Sequence, residues 1–447
     1  MNNNPSTWLS RRVTGAMSAS PANVWWGGGG FSGLLEAYPN AAGAYSLRRL
    51  SKGGDKVVRL RRASDNAEKD FYAGELTVSV TGNERAVNGD FETGDLTGWG
   101  NGAEWSVNGS NQLECDGTQA SRTTCTQTAI CPPVGDTNYY RLTFDIISCS
   151  NFTNAGIRLA SSSYSVCEFI DMGVTSAGSY SLLINTSLCT TQKFDIFCNA
   201  GVTLVIDNIS MVEYEPSVAE LWAYPGPSGV GFPGASSSDA YANTWYDQSG
   251  SGNNATQATA AAQPLLIRAG VTNTENGKPA LSFDGVDDEL SADANVFATS
   301  AYPNTKVCVY NSASVSTGVV SLSKDGDAAT YSTLLQTNST RANNTSRGLS
   351  GTSSVLGVAN TDEQHIAFGF DASATDHNIS VDGAAVVSDS TDTGEVAGVD
   401  KFLIGNWRNP SPAYHEGKIQ EIIIYASDQS ANRTILETNI NDHYGIY

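Results

Sequence analysis

The stretch WYDQSGSGNNATQ, Trp245 to Gln257, together with FDGVDDEL, Phe283 to Leu290, decides how this chain is read. In both, carboxylates (Asp247, Asp284, Asp287 and Asp288) stand beside glycines, where a carboxylate either caps a turn or binds calcium. Capping is the reading taken here, because calcium needs about six to eight converging oxygens and GVDD lacks the ordered spacing of a calcium loop. The later KDGDAAT lacks it as well, and Asp325 and Asp327 there are the calcium candidates. Further on, KVCVY (Lys306 to Tyr310), GVVSLS (Gly318 to Ser323), HIAFGF (His365 to Phe370), HNISVDG (His377 to Gly383), KFLIG (Lys401 to Gly405) and KIQEIIIY (Lys418 to Tyr425) follow as short runs separated by turns. Their spacing predicts an all-β sandwich of jelly-roll type. The tail from Ser427 to Tyr447 carries Ile435, Leu436 and Ile440 at helical spacing and predicts a closing helix.

Toward the N-terminus the pattern breaks at a Gly-, Pro- and Ser-rich connector, PGPSGVGFPGASSSDAYAN, Pro225 to Asn243. Before it, YYRLTFDIIS, AGIRLA, SYSLLI and FDIF are alternating runs bounded by Asn, Gly and Ser, as strands should be. Earlier still, LRRL and VVRLRR, between Leu47 and Arg62, predict a basic hairpin turning at Lys52 to Lys56. Arg59 and Arg61 fall on one face of its second strand, Val58 and Leu60 on the other.

WYDQSGSGNNATQ and FDGVDDEL resemble the opening strands of the concanavalin-A-like, laminin-G-like jelly roll found in secreted glycan-binding proteins and phage virion proteins. The earlier AYSLRRLSKGGDKVVRLRRASDNAEKDF, Ala44 to Phe71, resembles a segment that in the phage-associated family runs almost directly into WYDQSG. The resemblance therefore implies one sandwich opened by an insertion. VNGDFETGDLTGWG, Val87 to Gly100, and VTLVIDNISMVEYEP, Val202 to Pro216, resemble the first and last strands of a galactose-binding-like β-sandwich shared by many carbohydrate-binding modules. The expected organisation is an anchoring arm over residues 1–34, the first part of the jelly roll over 35–85, the inserted sandwich over 86–215, and the rest of the jelly roll with its helix over 216–447.

The chain has 447 residues with 25 Lys+Arg against 46 Asp+Glu, a balance that argues against nucleic-acid binding. Residues 1–80 reverse it, with 10 Lys+Arg against 6 Asp+Glu, so the basic end suits an acidic partner. The sequence predicts neither an exported leader nor a membrane span. Of eight cysteines, Cys115, Cys125, Cys131, Cys149, Cys167, Cys189 and Cys198 cluster between residues 100 and 200, which predicts pairing within the insert.

Trp25 and Trp26 beside Gly27 to Gly30, with Arg11 and Arg12, are the expected anchoring residues of the arm. The candidates for stacking on or bonding to sugar rings are Trp407, Arg408, Tyr414 and His415 in the loop WRNPSPAYHE, and Trp105 and Tyr139 in the insert. No catalytic residue is assigned. The basic segment also resembles the opening of arabinofuranosidase catalytic domains, but nothing matches that family's catalytic segments. The resemblances imply a phage decoration protein or fibre on the virion surface, a homo-oligomer among other virion proteins, adhering to host-surface glycan without nucleic acid, membrane insertion or cofactor, calcium apart. The alternatives are a carbohydrate-binding protein of a cell-surface or secreted system, and an arabinofuranosidase-like hydrolase.

Overall fold

Strand Glu416–Tyr425, EGKIQEIIIY, organises the back sheet of the jelly roll. Along one side it pairs with Asn304–Ser312, and sheet order continues outward through His365–Ser373, Asp376–Val381 and Val387–Asp389. Along the other it takes Ala41–Ser46 next to its C-terminal half and Leu281–Asp284 next to its N-terminal half. The front sheet runs Thr352–Ala359, Arg341–Arg347, Asp327–Asn338, Thr317–Lys324, Lys401–Ile404, Leu290–Asp293, Ala255–Thr256, Ala240–Trp245, Lys56–Arg62 and Glu68–Tyr72. Every pairing is antiparallel. Leu265–Arg268 joins the two sheets by pairing with both Ala240–Trp245 and Leu281–Asp284. These relations come from a computed structural model that describes residues 33–52, 56–77, 79–128, 130, 139–159, 167–168, 174–185, 194–223, 239–297, 299–313, 317–338, 341–359, 364–407 and 412–447. Arg11, Arg12, Trp25, Trp26 and Arg408 lie outside them.

The back-sheet strands read as almost unbroken apolar runs because both of their faces are covered. Cys308, Tyr310, Ile422 and Ile424 face the front sheet, while Val307, Val309, Phe368, Phe370 and Ile423 pack under Leu436, Ile440 and Tyr444 of the helix Arg433–Tyr444. The predicted closing helix is thus present, with Ile435 turned to solvent. It ends at Gly445, whose φ of 64° is the left-handed conformation glycine accepts without a Cβ clash.

Segments far apart in sequence share these sheets, so the jelly roll is one sandwich interrupted by an inserted one. Trp245 is fully buried. Asp247 Oδ1 accepts from the Ala44 and Ser249 amides (both 2.9 Å), and Oδ2 from Ser249 Oγ (2.8 Å) and the Asn253 amide (3.0 Å). With four donors on one carboxylate, the WYDQSG segment is framework, and the capping reading of Asp247 holds. The basic hairpin differs from expectation. Lys56–Arg62 turns back on Glu68–Tyr72, because Asp70 on that strand takes Lys56 (2.6 Å) and Arg59 (2.7 Å), and Asp65 in the turn takes Arg62 (2.6 Å).

The inserted sandwich sets Gly178–Asn185, Tyr139–Cys149, Thr203–Glu215, Leu113–Asp116 and Trp105–Val107 against Cys167–Glu168, Ala155–Leu159, Phe194–Cys198, Thr123–Gln127 and Gly100–Asn101. Ser79–Glu84 also pairs with Thr203–Glu215, so the insert's first strand precedes Val87. Phe91, Trp99, Trp105, Phe144 and Phe194 fill its core. Cys115 and Cys198, from facing sheets, bond thiol to thiol, and Cys115, Cys125, Cys149 and Cys198 are free thiols; the side chains of Cys131, Cys167 and Cys189, the rest of the cluster expected to pair, lie outside the described residues.

Two polar constructions hold this frame. Between the jelly-roll sheets, Asp371 is fully buried and receives Lys306 Nζ (3.1 Å), His377 Nδ1 (2.9 Å), Ser332 Oγ (2.9 Å), Ser346 Oγ (2.9 Å) and Asn344 Nδ2 (3.0 Å). Burial alone would raise the Asp371 pKa, but Lys306 and His377 outweigh it and hold the carboxyl below its ordinary range. At the junction with the insert, Glu220 is buried and accepts from Tyr214 Oη (2.9 Å), the Ser217 amide (2.8 Å) and the Thr272 amide (2.6 Å). Tyr214 belongs to the insert's last strand and Thr272 to the jelly roll, so one carboxylate ties the two sandwiches.

Candidate functional site

The outward face of the front sheet is set by strand alternation. Leu290, Ala292, Phe402, Ile404, Val320 and Leu322 point into the core. Their neighbours form two rows across three strands, Ser291 opposite Leu403 opposite Ser321, and Asp293 opposite Lys401 opposite Ser323. Over these rows lies a cleft of about 290 Å³, walled by Glu289 and Asp325 and closed on one side by Asn406, Pro412 and Tyr414 of the loop that follows Lys401–Ile404.

That loop is held by its own chemistry. Asn406 Nδ2 donates to Glu289 Oε2 (2.8 Å), while Asn406 Oδ1 accepts from the Trp407 amide (2.7 Å) and the Ala413 amide (3.0 Å). A Cβ on Gly318 would sit 2.4 Å from the Trp407 backbone nitrogen, so only glycine lets the loop approach this strand. Lys401 Nζ reaches Asp293 Oδ1 at 2.8 Å on the rim. Ser323 is 1% exposed, and its Oγ, facing the cleft, has no hydrogen-bond partner among the described residues. A buried hydroxyl without a partner costs roughly 1–3 kcal/mol, which a bonded ligand would relieve. Burial first, then Glu289 and Asp287, raise the Tyr414 pKa, so this phenol is a donor across the physiological range.

Of the residues expected at a site, Tyr414 and Asp325 line this cleft. Trp407 is half-buried behind it, edge-on to Tyr331 with ring centroids 5.7 Å apart. His415 is corrected to framework: it is 0% exposed, packed edge-on against Phe283 and Tyr310, and its Nε2 donates to the Asn311 carbonyl (3.0 Å). Burial pushes its pKa down to about 4, leaving it neutral. Trp105, 3% exposed, is in the insert's core and offers no ring face to a sugar. Tyr139 packs with Leu183, Tyr214 and Val271 where the insert meets the jelly roll.

The calcium candidates Asp325 and Asp327 belong to no cluster of three or more metal-ligand side chains among the described residues. Asp327 accepts from Thr330 Oγ1 (3.0 Å), whereas Asp325 stands on the cleft wall. Among the described residues, the carboxylates that do cluster are Asp284, Asp287 and Asp288. Even there Asp284 Oδ1 accepts the Val286 amide (2.8 Å) and Asp288 Oδ2 the Asp284 amide (2.9 Å), so the group caps its turn and falls short of the about six to eight oxygens calcium takes.

Sequence reasoning missed Glu289, Ser291, Ser323, Lys401 and Asn406. Glu289 sat inside a quoted motif, and the alternating serines of SLS were visible, but nothing local shows that Thr317–Lys324, Lys401–Ile404 and Leu290–Asp293 are sheet neighbours.

No family model and no curated protein matches the chain. Among solved structures it is similar to the Ruminococcus gnavus IT-sialidase CBM40 bound to alpha2,3 sialyllactose, at 17% identity over 36% of this chain and 96% of that one, TM-score 0.30. It is also similar to the receptor binding domain of botulinum neurotoxin D, at 12% identity over 44% of this chain and 50% of that one, TM-score 0.34. A third, NanB plus Optactamide, stands at 18% identity over 35% of this chain and 27% of that one, TM-score 0.28. At these TM-scores none of them carries a residue role or a ligand over to this chain.

Proposed function

We propose that this protein is a non-catalytic glycan-binding protein that takes a sugar unit in the front-sheet cleft. The observation that carries this reading is the buried, unpartnered Ser323 Oγ at the cleft floor, ringed by two carboxylates, an ammonium and a phenol. Sugar hydroxyls donate and accept at once, so a ring of acceptors (Glu289, Asp325), a donor (Lys401) and a hydroxyl of either sense suits them, while Tyr414 offers a ring to the apolar pyranose face. The volume is near the lower edge of the roughly 300–1,000 Å³ of small-ligand sites, which suits one terminal sugar more than a long chain.

Tyr414→Ala should weaken glycan binding about threefold to tenfold, the scale of an aromatic contact, on an array of neutral glycans. Unchanged binding moves the site off this cleft. Release of reducing sugar from arabinan or bacterial polysaccharide, lost on Glu289→Gln, would turn the reading into a hydrolase.

The finer placement is on a phage virion, with residues 1–34 seated on other virion proteins and the sandwiches displayed for adhesion. What supports it is the resemblance of WYDQSGSGNNATQ and RLRRASDNAEKDF to the phage-associated jelly rolls. Copies should then co-purify with particles, and a chain lacking residues 1–34 should fold but no longer attach. A truncated chain still on the particle removes the anchor.

A further inference from the structure

A second cleft, of about 380 Å³, opens where the insert meets the jelly roll. One wall is the outward face of Tyr139–Cys149, where Arg141 and Asp145 alternate with the buried Tyr140, Leu142 and Phe144. The other is the jelly-roll hairpin of Leu265–Arg268 and Val271–Thr272, which presents Arg268. On the neighbouring insert strand Ser179 and Ser181, opposite Asp145 and Thr143, share that outward face.

The guanidinium groups here are uncommitted. Arg141 lies 5.4 Å over the Tyr214 ring, and its buried Nε has no hydrogen-bond partner among the described residues. Arg268 is exposed and feels the Asp239 carboxylate without forming a salt bridge to it among the described residues. Asp145, the carboxylate in the lining, already accepts Asn208 Nδ2 at 2.7 Å, and Lys418 is already bound to Glu275 at 2.9 Å. In a chain with 46 Asp+Glu against 25 Lys+Arg, two unspent guanidinium groups facing one cleft reverse the average surface.

We propose that this junction cleft binds the anionic group of an acidic saccharide, a ring carboxylate or a sulfate ester, between Arg141 and Arg268. Guanidinium forks match the planar or tetrahedral oxygens of such groups, and these charge-assisted bonds are the strong ones. Each sandwich supplies one arginine, so the site is complete only when the two are held together, as the Glu220 tie and the packing of Tyr139, Leu183 and Tyr214 on Val271 hold them. The proposal rests on the reading that the chain binds glycans, but it concerns a different cleft.

The test uses the full chain and calorimetric titration with trigalacturonate, a sulfated disaccharide and a neutral trisaccharide. Wild type should bind at least one acidic sugar, and either Arg268→Ala or Arg141→Ala should weaken that binding roughly tenfold or more. Tyr414→Ala should leave it unchanged, and added salt should weaken it while sparing the neutral sugar. Because Arg141 is partly buried, its variant is checked by thermal melting; the exposed Arg268 keeps the test valid if Arg141→Ala unfolds. Binding to trigalacturonate alone identifies a carboxylate site, and to the sulfated sugar alone a sulfate site. No saturable binding of either acid, or binding unmoved by Arg268→Ala, overturns the proposal. Loss of neutral binding across a panel defeats the front-cleft reading instead.

Discussion

The front cleft and the junction cleft differ in what their charges are already doing. At the front, Glu289 accepts a hydrogen bond from Asn406 and Lys401 is paired with Asp293, so both groups already have partners before any ligand arrives. At the junction, Arg141 and Arg268 have no carboxylate bonded to them among the described residues. The first arrangement favours a neutral polyol and the second an anion. They also differ in what positions them: three hydrogen-bonded strands of one sheet carry the front rows, while the junction walls belong to two sandwiches tied through Glu220. A ladder of many bonds tolerates the loss of one far better than a junction held by the Glu220 tie and one small apolar cluster does.

The largest test of this contrast strikes the frame of the jelly roll. Asp371→Asn leaves the Lys306 ammonium buried without its counter-charge, at a cost of roughly 3–5 kcal/mol, and should abolish both clefts while the insert stays folded. Urea melts read separately for the two sandwiches measure it; a joint collapse would mean that the insert does not stand by itself. The same network predicts a pH window. Burial opposes the His377 charge, but Asp371 outweighs it and raises that pKa, so its contribution is complete below the unfolded value of about 6.5 and is lost as pH rises through the folded one. Asp371 itself is lowered, so its contribution is present above about 3.9 and is lost on acidification. Jelly-roll stability should therefore peak between these limits.

Glu220→Ala is the narrower cut. It strips the acceptor from Tyr214, Ser217 and Thr272, all buried, for about 2–3 kcal/mol after water fills part of the gap. The junction cleft should lose its acidic ligand and the front cleft keep its neutral one. Equal loss in both would show that the tie supports the whole molecule.

The sequence reading reached some of this and not the rest, for reasons visible in particular residues. Turn chemistry is local, so Asp247 and the glycines around it announced a framework turn before any fold was known. The loop after Lys401–Ile404 was found because two strands with aromatics and prolines between them make an exposed loop, and Tyr414 proved to line a cleft. Its neighbour His415 faces the core, as does Trp105 at the head of Trp105–Val107. In a strand, one position decides between ligand and core, and composition does not show which. Ser323 and Arg141 were unread for a different reason: each matters through a sheet neighbour or a second sandwich, and such pairings are non-local.

The smallest expected effect separates the wall of the front cleft from its frame. Asp288, beside Glu289, is 5% exposed, and burial first, with Asp284 and Asp287 adding, pushes its pKa up to about 7. A carboxyl raised above its unfolded value binds more protons when folded, so stability falls as pH climbs from about 4 to about 7 and then levels. Asn keeps an oxygen to accept the Asp284 amide without carrying charge. Asp288→Asn should therefore stabilise the protein by about 1 kcal/mol at pH 8, after discounting for solvent screening, and by almost nothing near pH 4. Urea melts at the two pH values read the difference, and an equal gain at both would show that Asp288 is not shifted. Because its carboxylate supports the turn without lining the cleft, neutral-sugar affinity should not move; if it does, the acid belongs to the site and not to the frame.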